Sequence, residues 1–422
     1  MFPYQAYTGK WLHVNLTTGK VEAREYDPTL AEGYLGGNGF GTRLLWEHVG
    51  PEVDPLAPES LLIFATGPLC GTLVPNGARL EVIAKSPLTG IYGDANAGGF
   101  FGPELKFAGW DAIVVTGQAP HPVHLAIADD RAELRDAGDL WGRTTSQTEA
   151  AIRRTWGDPQ VKTATIGPAG ENLVRFAGIQ ITPQRSAARC GLGAVMGSKR
   201  LKAIAVRGHG SIHVADPARF HDLAVDFHRR LRANPLFPAV SAHGTPGIVT
   251  LMDALGRFPT RNFQMGSFPE VDRIGAEALE ARAFVRHLAC FGCPVGCDKL
   301  RRIPDGSHAG TALRSVEYET LNALGACVWN ADLDAIGHTI GYSNPISFSY
   351  AFTYCRDRYP IAYLDAYTDA HAYLRRNRNR HHVRRHLRRT GRRLATAGRS
   401  QRRRGSHGGG TLCHRRVVLR PR

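Results

Sequence analysis

The chain has 422 residues, 43% of them hydrophobic and 21% charged, enough to bury a sizeable core in two or three domains. Its eight cysteines are too few for a disulfide scaffold. No apolar run is long enough to cross a membrane, and Met1-Phe2-Pro3-Tyr4-Gln5 lacks the charged start and apolar block of a signal peptide. The formal charge of +16 is concentrated: residues 374–422 hold 18 Arg and no Lys, Asp or Glu, which leaves residues 1–373 at −2 (+16 less +18). The body is near neutral and gives no electrostatic reason to expect nucleic acid on it.

Gly9–Glu25 reads as a hairpin: Trp11, His13 and Asn15 alternate with Leu12, Val14 and Leu16, and Thr17-Thr18-Gly19-Lys20 makes the turn. Gly33-Tyr34-Leu35-Gly36-Gly37-Asn38-Gly39-Phe40-Gly41 is a glycine-dense entry to a helix. It is not a phosphate loop of the G-x-x-x-x-G-K-[ST] kind. Leu61–Thr66, Arg79–Ala84, Asp111–Thr116, Pro122–Ala128 and Leu201–Val206 read as short strands between Gly/Pro turns, with one clear later helix, Thr145–Trp156. Many strands and few long helices predict a β-rich domain over residues 1–210 rather than a doubly wound one.

The pattern changes at Asp216-Pro217, a helix cap followed by a first-turn proline. Phe220, Leu223, Ala224, Phe227 and Leu231 then recur at helical spacing until Asn234-Pro235. A helical domain over residues 211–340 follows. It carries Cys290-Phe291-Gly292-Cys293-Pro294-Val295-Gly296-Cys297, a C-x2-C-x3-C run with three of the eight cysteines. Thiols this close cannot pair among themselves without strain, and Gly292, Pro294 and Gly296 let the loop wrap a metal centre. A cubane with its fourth cysteine elsewhere fits this run best. Zinc, with His287 as a fourth ligand, is the alternative; packed, inert thiols are the plain structural reading.

Two glycine loops in the first domain carry polar groups. Tyr92–Gly102 offers exposed backbone amides. Arg185–Lys199 adds cationic forks at Arg185, Arg189 and Lys199. Either alone reads as a tight loop with solvated arginines; the pair together with the cysteine run suggests a site for an anionic, phosphorylated cofactor.

These residues resemble the aldehyde ferredoxin oxidoreductase family, the tungsten-dependent bis-pterin enzymes. The similar motifs run in family order from about Tyr4 to about Ile336. They include Gly9-Lys10, Gly33–Gly39, Ala65-Thr66-Gly67-Pro68, Ala187–Lys199, Pro259-Thr260-Arg261-Asn262-Phe263, Cys290–Cys297 and Glu317-Tyr318-Glu319-Thr320. The resemblance implies an α+β fold, with a β-rich pterin-binding base, and helical domains closing over it. It implies a tungsten or molybdenum bis-pterin, a 4Fe-4S cluster and Mg2+ at the pterin phosphates. Arg79 would stand between pterin and cluster. Asn96, Gly98, Arg185, Ser186, Ala188 and Arg189 would contact pterin or phosphate. Cys290, Cys293 and Cys297 would hold the cluster. Glu317 and Glu319 lie in the segment that brings a carboxylate to the metal, and the resemblance does not choose between them. Ser186, Ala188 and Cys190 depart from the family's usual alanine, glycine and glycine. The implied reaction oxidises an aldehyde to a carboxylate and passes electrons to ferredoxin, in a cytoplasmic enzyme that could be a homo-oligomer.

Past about Gly337 the resemblance stops, and the family's third domain, with its fourth cysteine, is not found. Asp357-Arg358-Tyr359-Pro360 keeps only part of a family segment. Residues 341–422 read as an atypical, disordered, Arg-rich tail. It is either a nucleic-acid-binding arm or the out-of-frame translation of GC-rich coding sequence, and the absence of Lys favours the second. Three functions therefore compete: the oxidoreductase, a nucleic-acid binder acting through the tail, and a non-catalytic fragment. The expectation is that the chain as it stands is inactive or nearly so.

Overall fold

The structure is a computed structural model, and it describes residues 2–181, 185–307, 309–314 and 316–342. The expected tail lies outside the described residues, apart from Gly341 and Tyr342.

Up to Arg207 the fold is built on two six-stranded sheets. The first runs β2-β1-β6-β3-β4-β5, from β1 (Lys10–Asn15), β2 (Lys20–Glu25), β3 (Leu62–Thr66), β4 (Leu80–Lys85), β5 (Tyr92–Ala97) and β6 (Ala112–Thr116). The second runs β11-β10-β9-β12-β7-β8, from β7 (Val123–Ala128), β8 (Arg131–Asp136), β9 (Lys162–Thr165), β10 (Ile179–Ile181), β11 (Arg185–Ala187) and β12 (Leu201–Arg207). Only β1–β6 and β7–β12 pair in parallel; every other ladder in the two sheets is antiparallel. The β-branched runs that mark β3, β6 and β12 are buried along nearly their whole length, because both faces of these central strands are covered.

One core joins the two sheets. Phe64 and Val82 of the first and Ile127 and Ile204 of the second meet around Phe101 and Leu105 of the helix Phe101–Phe107. Such burial, at roughly 25 cal/mol per Å2 of apolar surface, is the main favourable term holding the base together. On the other face of the first sheet, Leu44 and Leu45 of the helix Asn38–His48 pack on Ile63 and Ile83. The N-terminal segment is pinned by the buried Asp111 carboxylate. It accepts from Thr8 N at 2.8 Å, Gly9 N at 2.9 Å and the Tyr26 hydroxyl at 2.7 Å, and pairs with Lys106.

Helix Thr145–Trp156 matches its sequence-predicted bounds, with a Thr144–Gln147 capping box and Gly157 in the left-handed region at its end. Helix Pro217–Ala233 starts where Asp216 accepts from Arg219 N at 3.0 Å. Beyond it a second core gathers Val249, Phe258, Ile274, Leu321 and Ile336. This region is mainly helical, as expected, and it adds a small antiparallel sheet, β13 (Phe284–Leu288), β14 (Asp298–Arg302) and β15 (Ala312–Arg314). No helix among the described residues is long and apolar enough to cross a membrane.

Candidate cofactor and cluster site

The cysteine run is the connection between β13 and β14. Gly292 and Gly296 take φ of +64° and +57°, the left-handed turns that bend this connection back on itself. The loop docks on the base. Phe291 N donates to Gly99 O at 3.2 Å, and the Phe291 ring meets Phe107 edge-on at 5.6 Å. Its far end is fastened by the buried Lys299, whose Nζ donates to Ser241 O at 2.9 Å, Gly296 O at 3.0 Å and Cys297 O at 3.2 Å.

Gly98 shows how tight the junction is. A Cβ there would stand 2.9 Å from Arg79 Nη1 and 3.0 Å from Cys290 Sγ, with Arg185 Nε at 3.9 Å. Four residues from four distant stretches thus converge on one point. Arg185 Nε lies 3.4 Å from Cys290 Sγ and donates to it, while Arg185 Nη1 pairs with the buried Asp298 at 3.3 Å. Although burial works against its charge, Cys290 and Asp298 hold Arg185 above its ordinary pKa. Cys293 Sγ donates to Asn76 Oδ1 at 3.0 Å. Burial pushes the Cys297 thiol up and Arg185 opposes the shift, so its deprotonation calls for a cationic partner.

Among the described residues no three His, Cys, Asp or Glu side chains gather as the ligands of a single ion would. His287, which could complete a zinc site, directs Nδ1 to Gly296 O at 3.3 Å. The thiolates of a cubane each bind a separate iron and need not share one point.

The remaining site residues fall into two groups. Asn96 lies opposite Glu81 in the β4–β5 ladder and donates to its carboxylate. Ser186 Oγ donates to Ile179 O at 3.3 Å, and Gly178 is packed against Ala188, where a Cβ would meet the Ala188 Cα at 3.1 Å. The second group centres on the helix Tyr318–Leu324. Glu317 caps it: its side chain accepts from the backbone of the third position, and it also accepts from the Thr245 hydroxyl. Glu319 sits in the first turn, where the helix dipole favours a negative charge. Burial raises the pKa of both carboxyls. Thr245 opposes the shift at Glu317, whereas Glu319 feels Glu317 raising it and Arg189 lowering it. Glu317 is therefore engaged as a cap, and among the cations Arg189 acts against the upward shift at Glu319.

Sequence reasoning missed Glu81 and Thr245. The signal for the first was an acidic residue inside the apolar strand Leu80–Lys85. Nothing local marked the second, whose partner is 72 residues away.

Two family models match. "Aldehyde ferredoxin oxidoreductase, N-terminal domain" covers residues 11–208, and "Aldehyde ferredoxin oxidoreductase, domains 2 & 3" covers residues 222–346. The chain is 46% identical over 332 residues to the tungsten-containing aldehyde ferredoxin oxidoreductase of Pyrococcus abyssi, spanning 78% of this chain and 54% of that protein. It is 34% identical over 338 residues to the aliphatic sulfonate oxidoreductase, WOR-like subunit, of Pyrococcus furiosus, spanning 76% and 53%. A solved structure, the active site complex BamBC of benzoyl coenzyme A reductase with 1,5 dienoyl-CoA, superposes with a TM-score of 0.69 at 31% identity. It covers 85% of this chain and 57% of that one. The chain thus spans about half the length of these relatives. Within those matched spans, it belongs to the aldehyde ferredoxin oxidoreductase family.

Proposed function

We propose that this chain is the pterin- and cluster-binding part of an oxidoreductase that converts an aldehyde to a carboxylate and passes two electrons to ferredoxin. The observation that carries this reading is the junction at Gly98, where Arg79, Arg185 and Cys290 meet. The residues fit the groups expected. Thiolates are the ligands a cubane takes, and Cys290, Cys293 and Cys297 are offered on one loop. Gly98 lets the Arg79 guanidinium and the Cys290 thiol approach the backbone closely, with Arg185 nearby, and two guanidinium groups at one point are what a polyanionic pterin phosphate requires. The domain limits proposed are residues 1–210 and 211–340.

When bound, the metal–pterin group supplies the two-electron redox chemistry, and the cluster carries electrons singly onward. The chain's own residues bind, orient and move protons. Arg79 and Arg185, which meet the cluster loop at Gly98 and Cys290, would hold the anionic groups in register. Asn96, Gly98, Ser186 and Ala188 present amide, hydroxyl and backbone groups on the cradle, and Mg2+ would join the phosphates there. Arg189 balances Glu319. Of the two carboxyls, Glu319 takes the acid–base role, because Glu317 is committed to its cap and Thr245. A raised carboxyl pKa brings proton exchange with water or substrate closer to neutral pH. Ferredoxin would be the acceptor, and the protein would be cytoplasmic.

The test is anaerobic expression with tungstate, followed by tungsten and iron analysis and an aldehyde-dependent viologen reduction assay. The chain is expected to hold iron and tungsten together. Glu319→Gln should lower turnover, while Glu317→Gln should cost stability first. Protein carrying neither metal after such expression would overturn the reading.

A further inference from the structure

Residues 67–79 connect β3 to β4 and run against the cysteine loop. A Cβ on Gly292 would stand 3.4 Å from Thr72 O and 4.0 Å from Val74 O, so the two backbones lie side by side. Turns fix this segment. Thr72 Oγ1 donates to Leu69 O at 2.7 Å, Gly77 N to Val74 O at 3.1 Å, and Arg79 N to Gly77 O at 2.8 Å. His228 Nε2, on the helix Pro217–Ala233, donates to Leu73 O at 3.0 Å. Within these ties Asn76 takes a φ of +63°, a left-handed conformation that Asn accepts more readily than most residues with a Cβ. In that conformation its Oδ1 lies 3.0 Å from Cys293 Sγ. Three residues on, Arg79 reaches Gly98, beside Cys290. One segment therefore addresses two of the three thiols with different chemistry: a guanidinium near Cys290 and a neutral amide at Cys293.

We propose that Asn76 is a positioning residue for the cluster: its amide donates to the Cys293 sulfur, holds that ligand in place and raises the cluster's reduction potential. This rests on the cluster reading above and adds a residue to it. The free thiol donates to Asn76 Oδ1. A sulfur bound to iron carries no proton and can only accept. An Asn side chain meets that change by turning its amide over, which brings the NH2 group to face the sulfur. Asn76 is exposed, which leaves its amide room to turn. An N–H aimed at a ligand sulfur stabilises the more negative, reduced state of a cluster, so its loss makes the cluster harder to reduce. An ionised aspartate would suit the same backbone turn but offers acceptors only.

The experiment uses the full chain, reconstituted anaerobically with iron and sulfide, in a redox titration followed by the cluster's visible band and its EPR signal. Two variants accept the left-handed turn: Asn76→Gly removes the side chain, and Asn76→Asp keeps its shape without the donor. Both are expected to hold as much iron as wild type and to shift the midpoint potential to more negative values, Asn76→Asp further because it adds a charge. An unchanged or more positive midpoint in either variant would overturn the role of Asn76 alone. Iron content falling as far as in Cys293→Ser would also overturn it, because Asn76 would then be needed to bind the cluster rather than to tune it. Wild type that takes up no cluster would overturn the cluster reading as well.

Discussion

The two-sheet base and the cysteine loop are built on opposite principles. Around the base, central strands are covered on both faces, and Phe101 and Phe64 are fully buried in a core shared by the two sheets. The cysteine loop hangs from β13, whose residues Phe284 and Val285 are 42% and 47% exposed, and its own cysteines are only part-buried. Apolar burial fixes the base before any ligand arrives. The loop has backbone turns, one lysine clamp and a few contacts to the base, and so far less apolar burial to fix it. A preformed base beside a loop that a ligand would complete fits the proposed site.

Substitutions at the loop break this comparison most sharply. Replacing Cys290, Cys293 or Cys297 with Ser is expected to remove most of the bound iron and bleach the visible cluster band. The folding of the base, followed by circular dichroism, should hold. Retained iron and an unchanged spectrum in all three variants would remove the cluster assignment. In the base, Phe101→Ala should cost about 3–5 kcal/mol of stability in denaturant titration, because a large side chain leaves a cavity where both sheets meet. A loss under about 1 kcal/mol would show that the two sheets do not share a core.

A subtler test of burial in the base uses Lys199. Its side chain is fully buried, and among the described residues its ammonium donates to carbonyls alone, Pro58 O at 3.2 Å and Gly117 O at 3.1 Å. Burial lowers its pKa from 10.5 to about 8. Between those values the unfolded chain binds a proton that the folded protein refuses, so stability should rise with pH from about 8 to 10.5. The expected rise is on the order of 1–3 kcal/mol, and Lys199→Met should flatten it. An identical pH profile in the variant would assign the rise to other groups. The smallest effect is expected on β13, where Phe284→Ser should change stability by no more than about 0.5 kcal/mol. A larger loss would mean that this strand is covered by something outside the described residues.

The parts legible in the sequence were those with local causes. The β-branched runs marked β3, β6 and β12, the helix Thr145–Trp156 was plain in the pattern, and the Asp216 cap marked the start of helix Pro217–Ala233. Strand β5 was hidden because Tyr92-Gly93-Asp94-Ala95-Asn96-Ala97 has the small residues of a loop; its pairing with β4 makes it a strand. The helix Leu192–Ser198 was likewise hidden inside a glycine motif. For the site, spacing pointed to the cysteines, the second glycine loop pointed to Arg185, and the resemblance supplied Arg79. That Arg185 reaches Cys290 across 105 residues has no local signature. The different fates of Glu317 and Glu319 depend on Thr245 and Arg189, which only the tertiary fold brings near.

The most direct test of the central claim is the metal content of anaerobically purified, iron- and sulfide-reconstituted chain. Iron, acid-labile sulfide and zinc should be measured on one sample. The account predicts three to about four irons with matching sulfide per chain, and no stoichiometric zinc. One zinc per chain with no iron would contradict it.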